Sequence, residues 1–287
     1  MMVNGCDCTI VIRTEHFETD IPYSDETVRG AVSLLEREAS IEGDGGRKVS
    51  GFVTGTAGCV ITPLTIGAAP LLLGLALGSV EKSVQLSVSG DFYRHFLCLA
   101  PMEDADRFDI VQDRGGGERT LYESCGVEGF ELRISRGEAV KLRLDVCGEF
   151  APRPYPYADR TARKDGERFG GDNVVYSVNG KEAAGIYGLI VSCKRKGSVR
   201  TQVWVKRALN KGADIPQLID ELSVTAKLVR DRYDKRYFGT FRIRFEKLVR
   251  VADETNVNAA DAVIGPVRYY VSGTVAAEVF GGCENVL

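Results

Sequence analysis

The chain has 287 residues, 44% hydrophobic and 27% charged, with a formal net charge of −3. That balance excludes a disordered or low-complexity chain and is sufficient for one large hydrophobic core or two smaller ones. Residues 1–10 are polar, with Asp7 and Cys8 where an apolar run would be needed, so no secretory signal is read and synthesis and assembly in the cytoplasm are expected.

The net charge hides an asymmetry. Residues 1–150 hold 14 Lys/Arg and 24 Asp/Glu, and residues 151–287 hold 23 and 16. Three readings follow: two independently solvated domains, attraction between the acidic half of one copy and the basic half of another, or nucleic-acid binding by the basic half. The eight cysteines (Cys6, Cys8, Cys59, Cys98, Cys125, Cys147, Cys193 and Cys283) are scattered, most of them in apolar segments, and read as buried free thiols. Cys6-Asp7-Cys8 has no second pair or nearby histidine to complete a zinc set, so no metal is expected.

In chain order, Thr9–Arg13 reads as an opening strand and Glu15–Tyr23 as a turn-rich link. Ser24-Asp25 then looks like a helix cap, followed by early acids and by Val28, Ala31, Val32 and Leu35 at spacings of three to four, which predicts a helix over 24–39. A glycine loop, Gly43–Gly46, precedes the longest uncharged run of the chain, Val49–Val80. Its length suffices for a membrane span. Pro63, Pro70 and six interspersed glycines argue instead for a strand, a break and a short helix of about three turns buried against a sheet.

From Ser83 the pattern is mostly β. Val84, Leu86 and Val88 alternate with polar residues, and Phe92–Ala100 follows as a second strand. Pro101–Asp109 is an acidic loop, Gly115–Gly117 a flexible turn, and Arg119–Cys125 a further strand. Phe130, Leu132 and Ile134, then Val140, Leu142, Leu144 and Val146, alternate with charged residues about a turn at Ser135–Glu138, which is a hairpin with one apolar and one charged face.

Phe150–Asn173 breaks the composition with three prolines and many charges, and is either a linker between halves or an arm that reaches a neighbouring subunit. Gly188–Val205 repeats the layout of Gly129–Val146, which suggests a duplication. Ala213–Leu222 is read as including a short helical turn. Leu222–Leu228 and Phe241–Phe245 alternate as strands, and Val267–Phe280 as one long closing strand. The expected fold is mainly β, a sandwich or barrel of two similar halves with short helices packed on the sheets. The division is 1–150, a linker or arm at 151–173, and 174–287.

Catalytic signals are sparse. His16 and His95 lie in different segments outside any metal or triad motif, with His95 placed on a strand face. Ser124-Cys125-Gly126 lacks the flanking glycines of a nucleophile elbow, and no Gly-Lys-Ser/Thr follows Gly115–Gly117. No enzyme activity and no cofactor are expected.

The order of features resembles the major tail tube proteins of long-tailed (siphophage-like) bacteriophages. The resemblance lies in SDETVRGAVSLLEREA, in GRKVSGFVTGTAGCVITPLTIGAAPLLLGLALGSV, in RTLYESCGVEGFELRISRGEAVKLRLDVCGE, and in GTFRIRFEKL and RYYVSGTVAAEVF, and it covers most of the chain. The long basic segment Pro152–Asn173 and the eight cysteines depart from the family pattern. The resemblance implies a virion protein that assembles with itself into hexameric, or pseudo-hexameric trimeric, rings stacked head to tail, a conduit through which DNA passes without tight binding. Its other partners would be tail proteins such as tape measure and terminator, with no membrane span and no cofactor. On this reading the apolar strand residues Leu132, Ile134, Leu142, Leu144, Val203, Phe241, Phe245, Tyr269 and Val271 are candidates for self-assembly. The alternatives are another tail ring component, such as a terminator or baseplate hub, or a β-rich nucleic-acid-binding module.

Overall fold

The computed structural model describes residues 9–14, 18–39, 47–85, 93–113, 119–156, 167–207, 216–229, 238–251 and 266–281. Cys6-Asp7-Cys8, His16 and the expected loop and turn at Gly43–Gly46 and Gly115–Gly117 lie outside them.

The fold is mainly β. The first strands are β1 (Thr9–Arg13), β2 (Glu18–Ile21), β3 (Asp25–Glu26), β4 (Arg29–Ala39) and β5 (Arg47–Pro63). Helix α1 (Ala69–Leu77) leads directly into β6 (Gly78–Gln85) and β7 (Tyr93–Leu99). The middle of the chain forms β8 (Phe108–Asp113), β9 (Arg119–Ser135), β10 (Lys141–Gly148), β11 (Arg153–Pro154), β12 (Val174–Val178) and β13 (Lys181–Glu182). It closes with β14 (Ile186–Lys194), β15 (Arg200–Arg207), β16 (Leu218–Val229), β17 (Phe238–Arg250), β18 (Val267–Val271) and β19 (Val275–Gly281). These strands form one open antiparallel hydrogen-bonded network.

Three expectations are corrected. The segment 24–39 is not helical: it forms β3 and β4, and β4 pairs with β5 from Arg29↔Ala57 to Ala39↔Arg47. Its three-to-four spacing is overridden by a long-range partner, as strand formation depends on context more than helix formation does. Of Ala213–Leu222, read as including a short helical turn, Leu218–Leu222 is extended and 213–215 lie outside the described residues, and Val267–Phe280 is two strands. The break in the latter has a local cause. Lys247 on β17 adopts φ 54°, and its carbonyl accepts both the backbone N–H (3.0 Å) and the hydroxyl (2.8 Å) of Ser272. This bulge diverts the chain, so that β18 pairs with β15 and the end of β17, whereas β19 pairs with the rest of β17 and with β7.

Two stretches of sheet therefore share the β16–β17 pair. The first runs β5–β10–β9–β14–β15–β18–β17–β16, and its interior row is Val60, Leu144, Phe130, Cys193, Thr201, Val271, Leu248 and Ile219, all buried. The second runs β12–β16–β17–β19–β7, with interior row Tyr176, Val224, Ile243, Ala277 and Leu97. The two similarly laid-out hairpins, β9–β10 and β14–β15, lie side by side through the β9–β14 pairing.

Helix α1 fills the space between the interior faces. Leu73, Ala76 and Leu77 meet Phe130, Leu132 and Val191 from one stretch and Ile243, Phe245 and Val275 from the other, leaving a void of only about 10 Å³. All nine helix residues are buried and none is charged, as expected of a helix that is apolar on every side. Pro70 occupies its first turn, and Gly78 ends it in the left-handed region, φ 90°, donating its N–H to the Gly74 carbonyl. The uncharged run Val49–Val80 thus divides into strand, break and buried helix, as its prolines and glycines indicate. Among the described residues no helix is long and apolar enough to cross a membrane.

Arg195 anchors this helix from within the core. It is fully buried, and its guanidinium donates to the carbonyls of Leu75, Ala100, Pro101 and Val127. In the 151–173 segment, Arg153–Pro154 pairs with Thr120–Leu121, and Phe169 is buried with its ring edge-on to Phe241 at 4.9 Å.

Candidate assembly surface

The nine residues singled out for self-assembly all lie inside one copy of the chain. Leu132, Ile134, Leu142, Leu144, Val203, Phe241, Phe245 and Tyr269 are at most 1% exposed, and Val271 is 6% exposed. The alternation that marked them is the inward face of the sheet, covered by α1 and the opposite strands. Surface for another copy is left to the outward face and the sheet edges.

The outward face is defined by register. One row runs Asp25, Ile61, Arg143, Glu131, Ser192, Gln202, Tyr270, Val249, Leu218, one residue from each of nine neighbouring strands. At the usual strand spacing it measures about 38 Å. Its character changes along its length. At the β3–β9 end it is charged, and Ser24, Ile61, Glu131, Arg133, Lys141 and Arg143 line a depression of about 190 Å³. Here Arg143 Nε donates to Asp145 at 2.7 Å, which raises the guanidinium pKa, and Arg133 bonds Glu131. At the other end the row is apolar: Tyr270 is 36%, Val249 43% and Leu218 65% exposed. Trp204 and Arg268 are register partners in the next row of the same face and are half-buried.

Both ends of the row are open edges. Among the described residues no strand pairs with the outer side of β3 or β4, and none pairs with β16 ahead of Glu221, whose backbone is engaged by Asn179. The β4–β5 ribbon extends further: from Ala31↔Gly55 to Ala39↔Arg47 it has no third strand among the described residues. A two-stranded ribbon of this kind is marginal alone in water.

Among the described residues no catalytic constellation is seen. His95 is buried on β7, with Nδ1 at 2.8 Å from the Ser83 hydroxyl. Ser124 has φ 51° and donates its backbone N–H to Asp109, which shapes the bulge where the β8–β9 register shifts. The five cysteines among the described residues are free, with Cys59, Cys125 and Cys193 buried. Burial raises the Cys125 thiol to about 12 and also raises Cys193, the opposite of what a reactive thiolate needs. Among the described residues no group of three or more His, Cys, Asp and Glu is placed to hold a metal ion.

Comparison with protein-family models and with curated proteins finds no match to this chain.

Proposed function

We propose that this chain is a structural virion protein, the tube subunit of a long-tailed phage. It assembles with copies of itself into stacked rings, of six subunits or of three with doubled folds, around a lumen that passes DNA. The observation that carries this reading is the open sheet: a nine-strand row ending in an unpaired edge on each side, among the described residues. Long unpaired edges promote uncontrolled pairing in a monomer, and closure of edges between copies removes them. The unsupported β4–β5 ribbon also suits a chain that completes its structure against a neighbour. Tape measure and terminator proteins would be further partners in the tail, and the task is not catalytic.

The test is negative-stain electron microscopy of the purified protein over a salt series. Rings or hollow tubes with a countable symmetry are expected. Dispersed monomers at every salt and concentration overturn the reading.

A second reading is nucleic-acid binding by the basic half, favoured by Trp204, Tyr270 and Arg268 together on the outward face. It requires a salt-sensitive gel shift of DNA by the full chain, and no shift at low salt removes it.

A further inference from the structure

The described residues hold four exposed large hydrophobic side chains: Leu218, Val249, Tyr270 and Phe150. Three of them are the consecutive apolar members of the outward row. The fourth stands apart. Phe150 follows β10 and is 54% exposed.

The surroundings of the two sites are opposite in charge. Phe150 follows Glu149, whose side chain is 75% exposed with Arg107 at 3.9 Å. The loop carrying the exposed acids Glu103, Asp104 and Asp106 is held against the same strand end, with Met102 Sδ at 4.0 Å from Cys147 Sγ. Flanking the patch on its own strands are Arg268 on β18 and Lys247 on β17, with Asp220 on β16 the acid beside Leu218 and Glu246 paired to Arg244. A ring in an acidic setting thus matches an apolar patch in a cationic one.

We infer that Phe150 of one copy seats on the Leu218–Val249–Tyr270 patch of the next, so that the contact runs head to tail. This rests on the assembly reading above. The two sites cannot meet within one copy: β10 and β18 are separated by β9, β14 and β15, about 19 Å across the sheet. Neither site is self-complementary, so the contact is heterologous and repeats from copy to copy. Trp204, Tyr270 and Arg268 are the residue types that dominate protein interfaces when an apolar anchor covers them. Leu218, the most exposed of the four, offers nothing to a phosphate backbone, which favours protein over nucleic acid as occupant.

The test uses the full chain with a photo-crosslinking phenylalanine analogue at position 150, together with the substitutions Phe150→Asp and Val249→Asp. Cross-links are expected between copies, to peptides containing Leu218, Val249 or Tyr270. Each substitution is expected to raise the concentration needed for assembly at least tenfold, with thermal unfolding of the monomer unchanged. A wild-type chain that never assembles overturns the assembly reading and this contact with it. Assembly that survives Val249→Asp, with cross-links elsewhere, overturns the contact alone. Intact assembly combined with loss of a salt-sensitive DNA shift in Val249→Asp gives the face to nucleic acid and likewise overturns the contact.

Discussion

Arg195 Nη1 donates to the Leu75 carbonyl at 3.0 Å across 120 residues of sequence. Leu75 lies in the last turn of α1, where the unpaired carbonyls carry partial negative charge, so a buried cation there both bonds and offsets the helix dipole. Nη1 also donates to Val127 at 3.3 Å, Nε to Ala100 at 2.9 Å and Nη2 to Pro101 at 3.3 Å, tying the helix to the chain after β7 and to β9. Burial pushes the guanidinium pKa down. Arg195→Met removes four hydrogen bonds, two of them to buried carbonyls, and is expected to cost about 3 kcal/mol, and Arg195→Lys about half that, because an ammonium lacks the planar fork. Urea unfolding followed by fluorescence of Trp204, the only tryptophan, measures both.

Gly78 is the counterpart of that arginine. Its φ is +90°, and a Cβ built there would stand 1.7 Å from Arg195 Nη2. Gly78→Ala is expected to destabilise by at least 2 kcal/mol, roughly double the cost of a positive-φ glycine replaced without a clash. In Arg195→Met the same substitution should cost distinctly less, which a double-mutant cycle reads directly.

Cys125 gives a pH signature. Its thiol is raised to about 12 by burial first and by the nearby Asp109 second, against 9.0 for the ordinary group. A raised folded-state pKa means that its contribution to stability is complete below pH 9 and is lost as pH climbs from about 9 towards 12. Stability should therefore decline over that window, and Cys125→Ala should flatten the decline. In the native state at pH 8 a thiol reagent should leave Cys125 unmodified.

Tyr176 on β12 has a buried hydroxyl without a hydrogen-bond partner among the described residues. Its ring fills the interior row, but the buried hydroxyl gains no partner among the described residues, and burial raises its pKa. Tyr176→Phe should keep the packing and raise stability by about 1 kcal/mol in thermal or urea unfolding.

The outcome at individual residues shows where the sequence was legible. Strict two-residue alternation from Phe130 to Val146 specified a hairpin and its inward face, because one face is buried along its whole length. Pro70 and Gly78 bounded α1 for stereochemical reasons that act locally. Residues 24–39 failed because their apolar spacing suits a helix, while the deciding partner, β5, lies elsewhere in the chain. The assembly residues were chosen for a correct apolar face, but periodicity does not reveal what covers it. Arg195 was hidden inside the basic turn Lys194-Arg195-Lys196. Its signal was parity: Leu189, Val191 and Cys193 point inward, and Arg195 continues the series.

The position of α1 in the chain bears on its synthesis. The most apolar helix is made by residue 77, yet one of its walls is Val275 on the last strand. A ribosome must add nearly 200 further residues before that wall exists. Throughout that interval Leu73 and Leu77 lack their final cover, and contacts so distant in sequence form slowly. Chains cut short before β19 are therefore expected to aggregate rather than fold, so the final strand acts as quality control on the whole polypeptide.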